Sequence, residues 1–406
     1  MSQSPGRSLW ESAQRAVVAG DVSALERLLR DNPALFEQGQ PPAYVPSGPG
    51  PRFTADARSI IAREHEFETY AAFADHVAAA SRPDSPIARF EAAVEAVITG
   101  DLATLERLLR DDPQLIRARS PRRHHATLLH YVGANGVEGF RQKTPPNAVA
   151  IANVLLDAGA EVDAVAGMYG GSTTLGLVAT SIHPWMAGVQ IALLEALLHR
   201  RATIDGPGDG SAVNDCLANG RGEAAAFLAG QGARLDLEGA AGVGRLDIVQ
   251  SFFDGAGRLK GATSAQLLSG FAWACEYGRT AIVEFLLQHG IALDAPLRNH
   301  GQTGLHWASY GAHVDIVRLL LARGAPVNAT ERTFGGTPLG WTLYGWGERP
   351  PEANRDGYYE VVALLVAASA TVALEWLDEA KRGMPLERML RADPRMVAAL
   401  GAAWRP

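Results

Sequence analysis

The sequence predicts an all-α fold: a solenoid of about eight or nine helix-turn-helix units with short β-hairpins and a helical N-terminal extension. Three observations carry that expectation. Apolar helical segments recur at a fixed interval: Ile248-Val249-Gln250-Ser251-Phe252-Phe253, Ile282-Val283-Glu284-Phe285-Leu286-Leu287 and Ile316-Val317-Arg318-Leu319-Leu320-Leu321 follow one another by 34 residues. A period near 33 residues suits a β-turn plus two helices per unit, stacked so that neighbours bury each other's apolar faces. Glycine is abundant, as many tight turns require, and Gly324 stands where a left-handed residue closes the last of these segments. A further duplication marks the amino end, where Ala16–Pro33 returns 80 residues later as Ala96–Pro113 and is echoed at the carboxyl end by Leu386–Pro394.

The most regular unit fixes the register. In Gly301-Gln302-Thr303-Gly304-Leu305-His306-Trp307-Ala308-Ser309-Tyr310-Gly311, Leu305, Ala308 and Ser309 give an inner helix its i, i+3, i+4 stripe. Thr303 stands where it caps that helix. Ile316, Val317, Leu319, Leu320 and Leu321 give the outer helix a wider stripe, and Gly324-Ala325-Pro326-Val327-Asn328 ends the unit. The stretch 301–328 resembles one ankyrin repeat almost position for position. The resemblance implies that His306 hydrogen-bonds the hairpin backbone, and that His130, at the same repeat position, does so too. It covers roughly residues 86–370, most clearly 265–340.

Other units fit with lower fidelity. Thr127–Val132 reads as an inner helix and Ile151–Asp163 as its outer helix and turn, with an insertion from Gly136 to Asn147 between them. Thr174–Asp205 is a further unit, with an insertion around His183-Pro184-Trp185. Another ends at Gly232-Ala233-Arg234-Leu235-Asp236, and the next begins at Leu237 with no room for a hairpin. The last opens at Gly336-Thr337-Pro338-Leu339 and carries an insertion from Tyr344 to Asp356. Upstream, Pro41 to Pro51 reads as a linker or turn region. Ala55–Phe67 and Tyr70–Val77 read as two amphipathic helices, resembling a helical element found before ankyrin repeats in some bacterial proteins. The expected organisation is therefore an N-terminal helical region at 1–82, a repeat array at 83–370 and a C-terminal helical cap at 371–406. Polar-faced terminal units are what a solenoid needs to close its ends.

Composition narrows the function classes. With 47% hydrophobic and 20% charged residues, the 406-residue chain reads as an ordinary folded protein. Its net charge of -7 argues against nonspecific binding to nucleic acid or to anionic membranes. Cys216 and Cys275 are the only cysteines, which excludes a disulfide framework and suits a reducing compartment. No segment approaches the length of a membrane span, and the amino end lacks a signal-type apolar run. The expected location is cytoplasmic.

In such stacks the residues just after the small inner-helix pair face outward, into a concave groove. Registering the units on Tyr310 selects Asn135, Thr180, Ser181, His183, Asn219, Glu276, Tyr277, Tyr310, Tyr344 and Trp346 as groove residues. Aromatic side chains at regular spacing are what binding hot spots are made from. The competing reading packs some of them against the Tyr344–Asp356 insertion. Trp273, Trp307 and Trp341, one per unit, belong to the helix seams. Arg119, Arg122, Arg123 and His125 form a basic cluster, read either as an anion site or as a solvated loop tip. The hairpin Tyr169–Thr174 leads into a helix N-terminus and reads as an anion cradle or an ordinary turn and cap.

No metal-ligand spacing, P-loop or nucleophile-elbow motif is present, so no cofactor is expected. Glu138, His183 and Glu276 are the acid–base candidates, and no spacing joins them. The sequence thus predicts a binding protein for a protein partner or extended ligand. The alternative is an enzyme or small-molecule binder with a polar pocket near Asn135, His183 and Asn219.

Overall fold

The computed structural model describes residues 5–31, 56–206, 210–297, 300–348, 355–371 and 386–401. The Pro41–Pro51 linker lies outside the described residues, as does part of the Tyr344–Asp356 insertion. The chain divides into two units, Met1–Gly210 and Ser211–Pro406. Both are helical, and no strand occurs among the described residues. Where hairpins were expected, three isolated bridges pair Ala166 with Ser172, Phe253 with Leu259 and Leu297 with Gln302.

The first unit opens with α1 (Pro5–Val18) and α2 (Val22–Asp31), then α3 (Ala57–Glu64) and α4 (Tyr70–Ala80). Asp56 and Thr69 cap the latter two through their side-chain oxygens. Ala13, Ala16, Leu25, Ile61, Phe67 and Phe73 close a small core among these four. Helices α5 (Pro86–Thr99) and α6 (Leu102–Asp111) follow. Asp101 caps α6, accepting from Thr104 N–H at 3.0 Å, just as Asp21 accepts from Ala24 N–H at 2.9 Å at the start of α2. The Gly-Asp turn common to the two sequence copies therefore does the same job twice.

The segment Leu128–Gly133, expected as an α-helix, is a tighter 3₁₀ helix. It ends at Ala134 in the left-handed region, φ 46°. Next come α7 (Ala148–Asp157), α8 (Thr174–Thr180), α9 (Ile182–Met186) and α10 (Gln190–His199). The insertion at 183–185 is thus a single helical turn, capped by Ser181, which accepts from His183 N–H. Gln190 is buried and its amide donates to the carbonyls of Val178 (2.9 Å), Ala179 (3.1 Å) and Ser181 (3.2 Å). That satisfies carbonyls which the end of α8 leaves without helical partners.

The second unit runs as consecutive pairs. These are α11 (Ala212–Ala218) with α12 (Gly222–Gly230), α13 (Leu237–Val243) with α14 (Leu246–Ser251), α15 (Ser264–Glu276) with α16 (Thr280–Gln288), α17 (Gly304–Tyr310) with α18 (Val314–Ala322), and α19 (Pro338–Glu348) with α20 (Asp356–Ala367). The terminal pair is α21 (Leu386–Ala392) and α22 (Pro394–Leu400). One continuous core runs from Ala240 to Leu400 and includes Phe271, Ile282, Leu305, Ile316, Leu339, Val361 and Leu390. Trp273 and Trp307 are buried, as their seam register requires, and Trp341 packs against the same core. After α18 the chain turns at Gly324 with φ 84°, a conformation only glycine adopts without strain.

Candidate functional site

His306 and His130, at one repeat position of two inner segments, are structural. Thr303 N–H donates to His306 Nδ1 at 3.0 Å, and His306 Nε2–H reaches the carbonyl of Gly336 at 3.1 Å. Thr127 N–H donates to His130 Nδ1 at 3.1 Å, and His130 Nε2–H reaches the carbonyl of Ala164 at 3.0 Å. Each ring accepts at one nitrogen and donates at the other, so each is neutral. Burial pushes the pKa of His130 down to about 4 and lowers that of His306.

In the second unit a repeated contact fixes the ends of the inner helices. Gly242, Glu276 and Tyr310 lie at or next to the last residues of α13, α15 and α17, where carbonyls lack helical partners. Each receives a side chain from the following pair. Arg279 Nε donates to Gly242 O at 2.8 Å, His313 Nε2 to Glu276 O at 2.6 Å, and Tyr358 Oη to Tyr310 O at 3.0 Å. Tyr277 Oη reaches past one pair to donate to the carbonyl of Leu217 near the end of α11. Its ring lies so close to Gly222 that a methyl there would stand 2.8 Å from it. Sequence reasoning missed all four donors, because the pairing crosses between helix pairs.

Tyr310 is half-buried. Its ring meets Trp307 (centroids 6.5 Å apart, 89°) and Trp341 (5.9 Å, 75°) edge-on, and its hydroxyl donates to Glu348 Oε2 at 2.8 Å. Burial and the Glu348 carboxylate raise its pKa. Tyr277, Tyr344 and Glu276 are likewise half-buried, and Asn219 is exposed, with its amide donating to Asp215 O at 2.8 Å. Trp346 departs from the expectation. It is 1% exposed, with the Arg355 guanidinium 4.7 Å over its ring. Helix α19 continues unbroken through Glu348, so Trp346 sits about 200° around the axis from Tyr344.

In the first unit Asn135 and Thr180 bond each other, and His183 bonds Gln142. Asn135 Nδ2 donates to Thr180 Oγ1 at 2.8 Å, and Tyr169 Oη donates to Asn135 Oδ1 at 3.1 Å. With its amide placed to satisfy its neighbours, Gln142 donates to Ala134 O (2.9 Å) and to His183 Nε2 (3.1 Å), and accepts from Gly136 N–H (3.0 Å). Burial lowers the pKa of His183. Ser181, expected in the groove, is instead a buried cap. Thr173 caps α8, so the Tyr169–Thr174 hairpin serves as a turn and cap.

The basic cluster does not converge. Arg119 Nη1 donates to the carbonyls of His125 (3.0 Å) and Val165 (2.8 Å), and Arg123 Nη2 pairs with Glu66 Oε2 at 3.0 Å. His125 is exposed, its Nδ1 3.3 Å from Ser120 O. Arg122 points inward into a buried ionic network. Glu91 meets Arg122 and, at 2.8 Å, Arg141; Glu138 meets Arg141, Arg122 at 3.5 Å and His124 at 3.4 Å. Tyr131 Oη donates to Glu138 Oε1, and His76 Nε2 lies 3.4 Å from Glu91. Burial alone would raise the pKa of Glu138, but His124, Arg122 and Arg141 together lower it to about 2. A carboxylate so held is a poor proton acceptor, which removes Glu138 from the acid–base candidates. Cys216 and Cys275 are buried, and burial pushes the Cys216 thiol up to about 12. Among the described residues no group of three or more His, Cys, Asp or Glu side chains is placed to hold a metal, and no helix is long and apolar enough to cross a membrane.

Residues 237–331 match the ankyrin-repeat family, in three copies. No curated protein matches the chain. Among solved structures it is similar to the human ASB11 ankyrin repeat domain, at 20% identity over 69% of this chain and 99% of that one, with a TM-score of 0.34.

Proposed function

We propose that this chain, an ankyrin-repeat protein by its matched copies over residues 237–331, is a binding protein that captures a protein partner on the concave side of its repeats. Ankyrin repeats generally mediate protein–protein interaction. The contact surface in the second unit is the row Glu276, Tyr277, Tyr310 and Tyr344. One observation carries this reading: Tyr310 is held in place on three sides, by Trp307, Trp341 and Glu348, yet is only half-buried. A rigid aromatic side chain loses little entropy when a partner covers it, which is what a hot spot requires.

Affinity capture from a native lysate, read by mass spectrometry, tests it with the wild-type chain beside a Tyr277→Ala/Tyr310→Ala variant. One stoichiometric protein is expected on the wild type and is lost from the variant, while the far-UV spectrum stays unchanged. Equal recovery on both would refute the assignment of the row.

A further inference from the structure

Among the described residues nine large apolar side chains are exposed, and five fall in one stretch: Val165, Tyr169, Ile182, Trp185 and Met186. Ile182, Trp185 and Met186 stand at i, i+3 and i+4 of α9 and so share one side of that turn. Tyr169 joins them through a short relay. Its hydroxyl bonds Asn135, whose amide bonds Thr180, next to the Ser181 cap of α9. Apolar exposure concentrated in this way marks an interaction surface rather than scattered surface residues.

The backbone is strained to present Tyr169. This residue has φ 52° and is 62% exposed. Its ring covers Gly136, where any side chain would stand 2.6 Å from the tyrosine oxygen. A bulky residue in the left-handed region carries a cost that the fold elsewhere must offset.

The rim is cationic in a chain whose net charge is -7. Exposed Arg119 bonds the carbonyl of Val165 itself. Gly167 N–H donates to His124 O at 2.7 Å, which sets the hairpin against the loop that carries Arg119 and Arg123, the latter paired with Glu66. Exposed Lys143 follows Gln142, whose amide meets His183 of α9.

We propose that this face docks an acidic, apolar peptide segment of a partner protein. Its aromatic or aliphatic side chains lie on Tyr169, Trp185 and Met186, and its carboxylates meet Lys143 and Arg119. Positive rim against negative peptide selects the partner's sign and speeds encounter. An anionic bilayer offers the same charges, but the whole chain's negative charge opposes approach to an extended anionic surface. The polar Asn135–Thr180 pair between the hairpin and α9 also suits a peptide better than a lipid interior. This second surface stands independently of the tyrosine row.

Fluorescence anisotropy on the full chain tests the proposal. The probes are a panel of labelled acidic peptides with varied spacing of Leu and Phe, the same panel with Lys in place of the acidic residues, and phosphatidylcholine vesicles with and without phosphatidylserine. Acidic members are expected to bind and their lysine counterparts not to. Trp185→Ala/Met186→Ala should weaken binding at least about tenfold. Lys143→Glu should weaken it less and flatten its salt dependence. Tyr277→Ala/Tyr310→Ala should leave it unchanged. The proposal is overturned if no acidic member binds, if both panels bind equally, or if the Trp185/Met186 variant binds like wild type. Loss of binding in the tyrosine variant alone would also overturn it, as would capture by phosphatidylserine vesicles without peptide binding, which makes the face a membrane surface.

Discussion

The imidazole of His313 holds the main-chain carbonyl of Glu276, Nε2 to O at 2.6 Å, across 37 residues of sequence. The same position is served by a guanidinium at Gly242 and a phenol at Tyr310. Three unlike side chains thus perform one task, donation to the end of the preceding inner helix.

Removing one such donor should be felt as the loss of a single hydrogen bond. His313→Ala is expected to lower the unfolding free energy by about 1 kcal/mol. Urea unfolding followed by circular dichroism reads this as a lower midpoint at unchanged slope. An unchanged midpoint would mean that water replaces the imidazole without loss.

The capping histidines make stability fall with acid. His130 titrates at about 4 in the folded chain, against 6.5 for the unpaired group. The unfolded chain therefore binds the extra proton between those values. The stabilising contribution is complete above about pH 6.5 and is lost as pH falls toward about 4, at up to about 1.4 kcal/mol per pH unit. His306 adds a loss of the same sign. Chemical unfolding at pH 7.5 and pH 5 measures the difference, and His130→Asn should show a shallower pH dependence than wild type.

Glu138 is 1% exposed and faces Arg122 and Arg141, so removing its charge leaves these two cations sharing the single carboxylate of Glu91. Glu138→Gln is expected to destabilise the first unit by about 3 kcal/mol. Adding Arg141→Met should recover part of that loss, the signature of a coupled pair. Simple additivity of the two changes in denaturant unfolding would refute the coupling. With its pKa depressed to about 2 from 4.5, Glu138 contributes its stability above about pH 4.5 and loses it as pH falls toward 2.

Both thiols should be silent. Cys216 and Cys275 are buried, and burial raises the pKa of each. Ellman's reagent at pH 8 should label neither in the native chain and both in guanidinium. Rapid native labelling would show an opening that the folded structure lacks.

What was legible in the sequence was local. The Thr303 cap and the glycine turn at 324 depend on residues a few positions apart, and the seam tryptophans on the 34-residue period; all stand as read. Trp346 was misplaced because a segment read as an insertion continues as helix, which turns that side chain inward. The buried ionic network was illegible for a different reason. It gathers His76, Glu91, Arg122 and the Glu138/Arg141 pair from four places along the chain, and no local spacing links them. The basic cluster failed on the same ground: Arg119, Arg122 and Arg123 are neighbours in sequence but take carbonyl, core and surface partners.

The donor that seals Tyr310 comes 48 residues after it, whereas those that seal Gly242 and Glu276 come after 37. Spacing along the chain and registration between neighbours are thus separate variables in this protein. Added sequence between acceptor and donor leaves the joint intact so long as some hydrogen-bonding side chain returns to it. Such a joint lets a repeat gain a new surface loop without being re-fitted to its neighbour, and it marks that connection as the place where grafted segments are best tolerated.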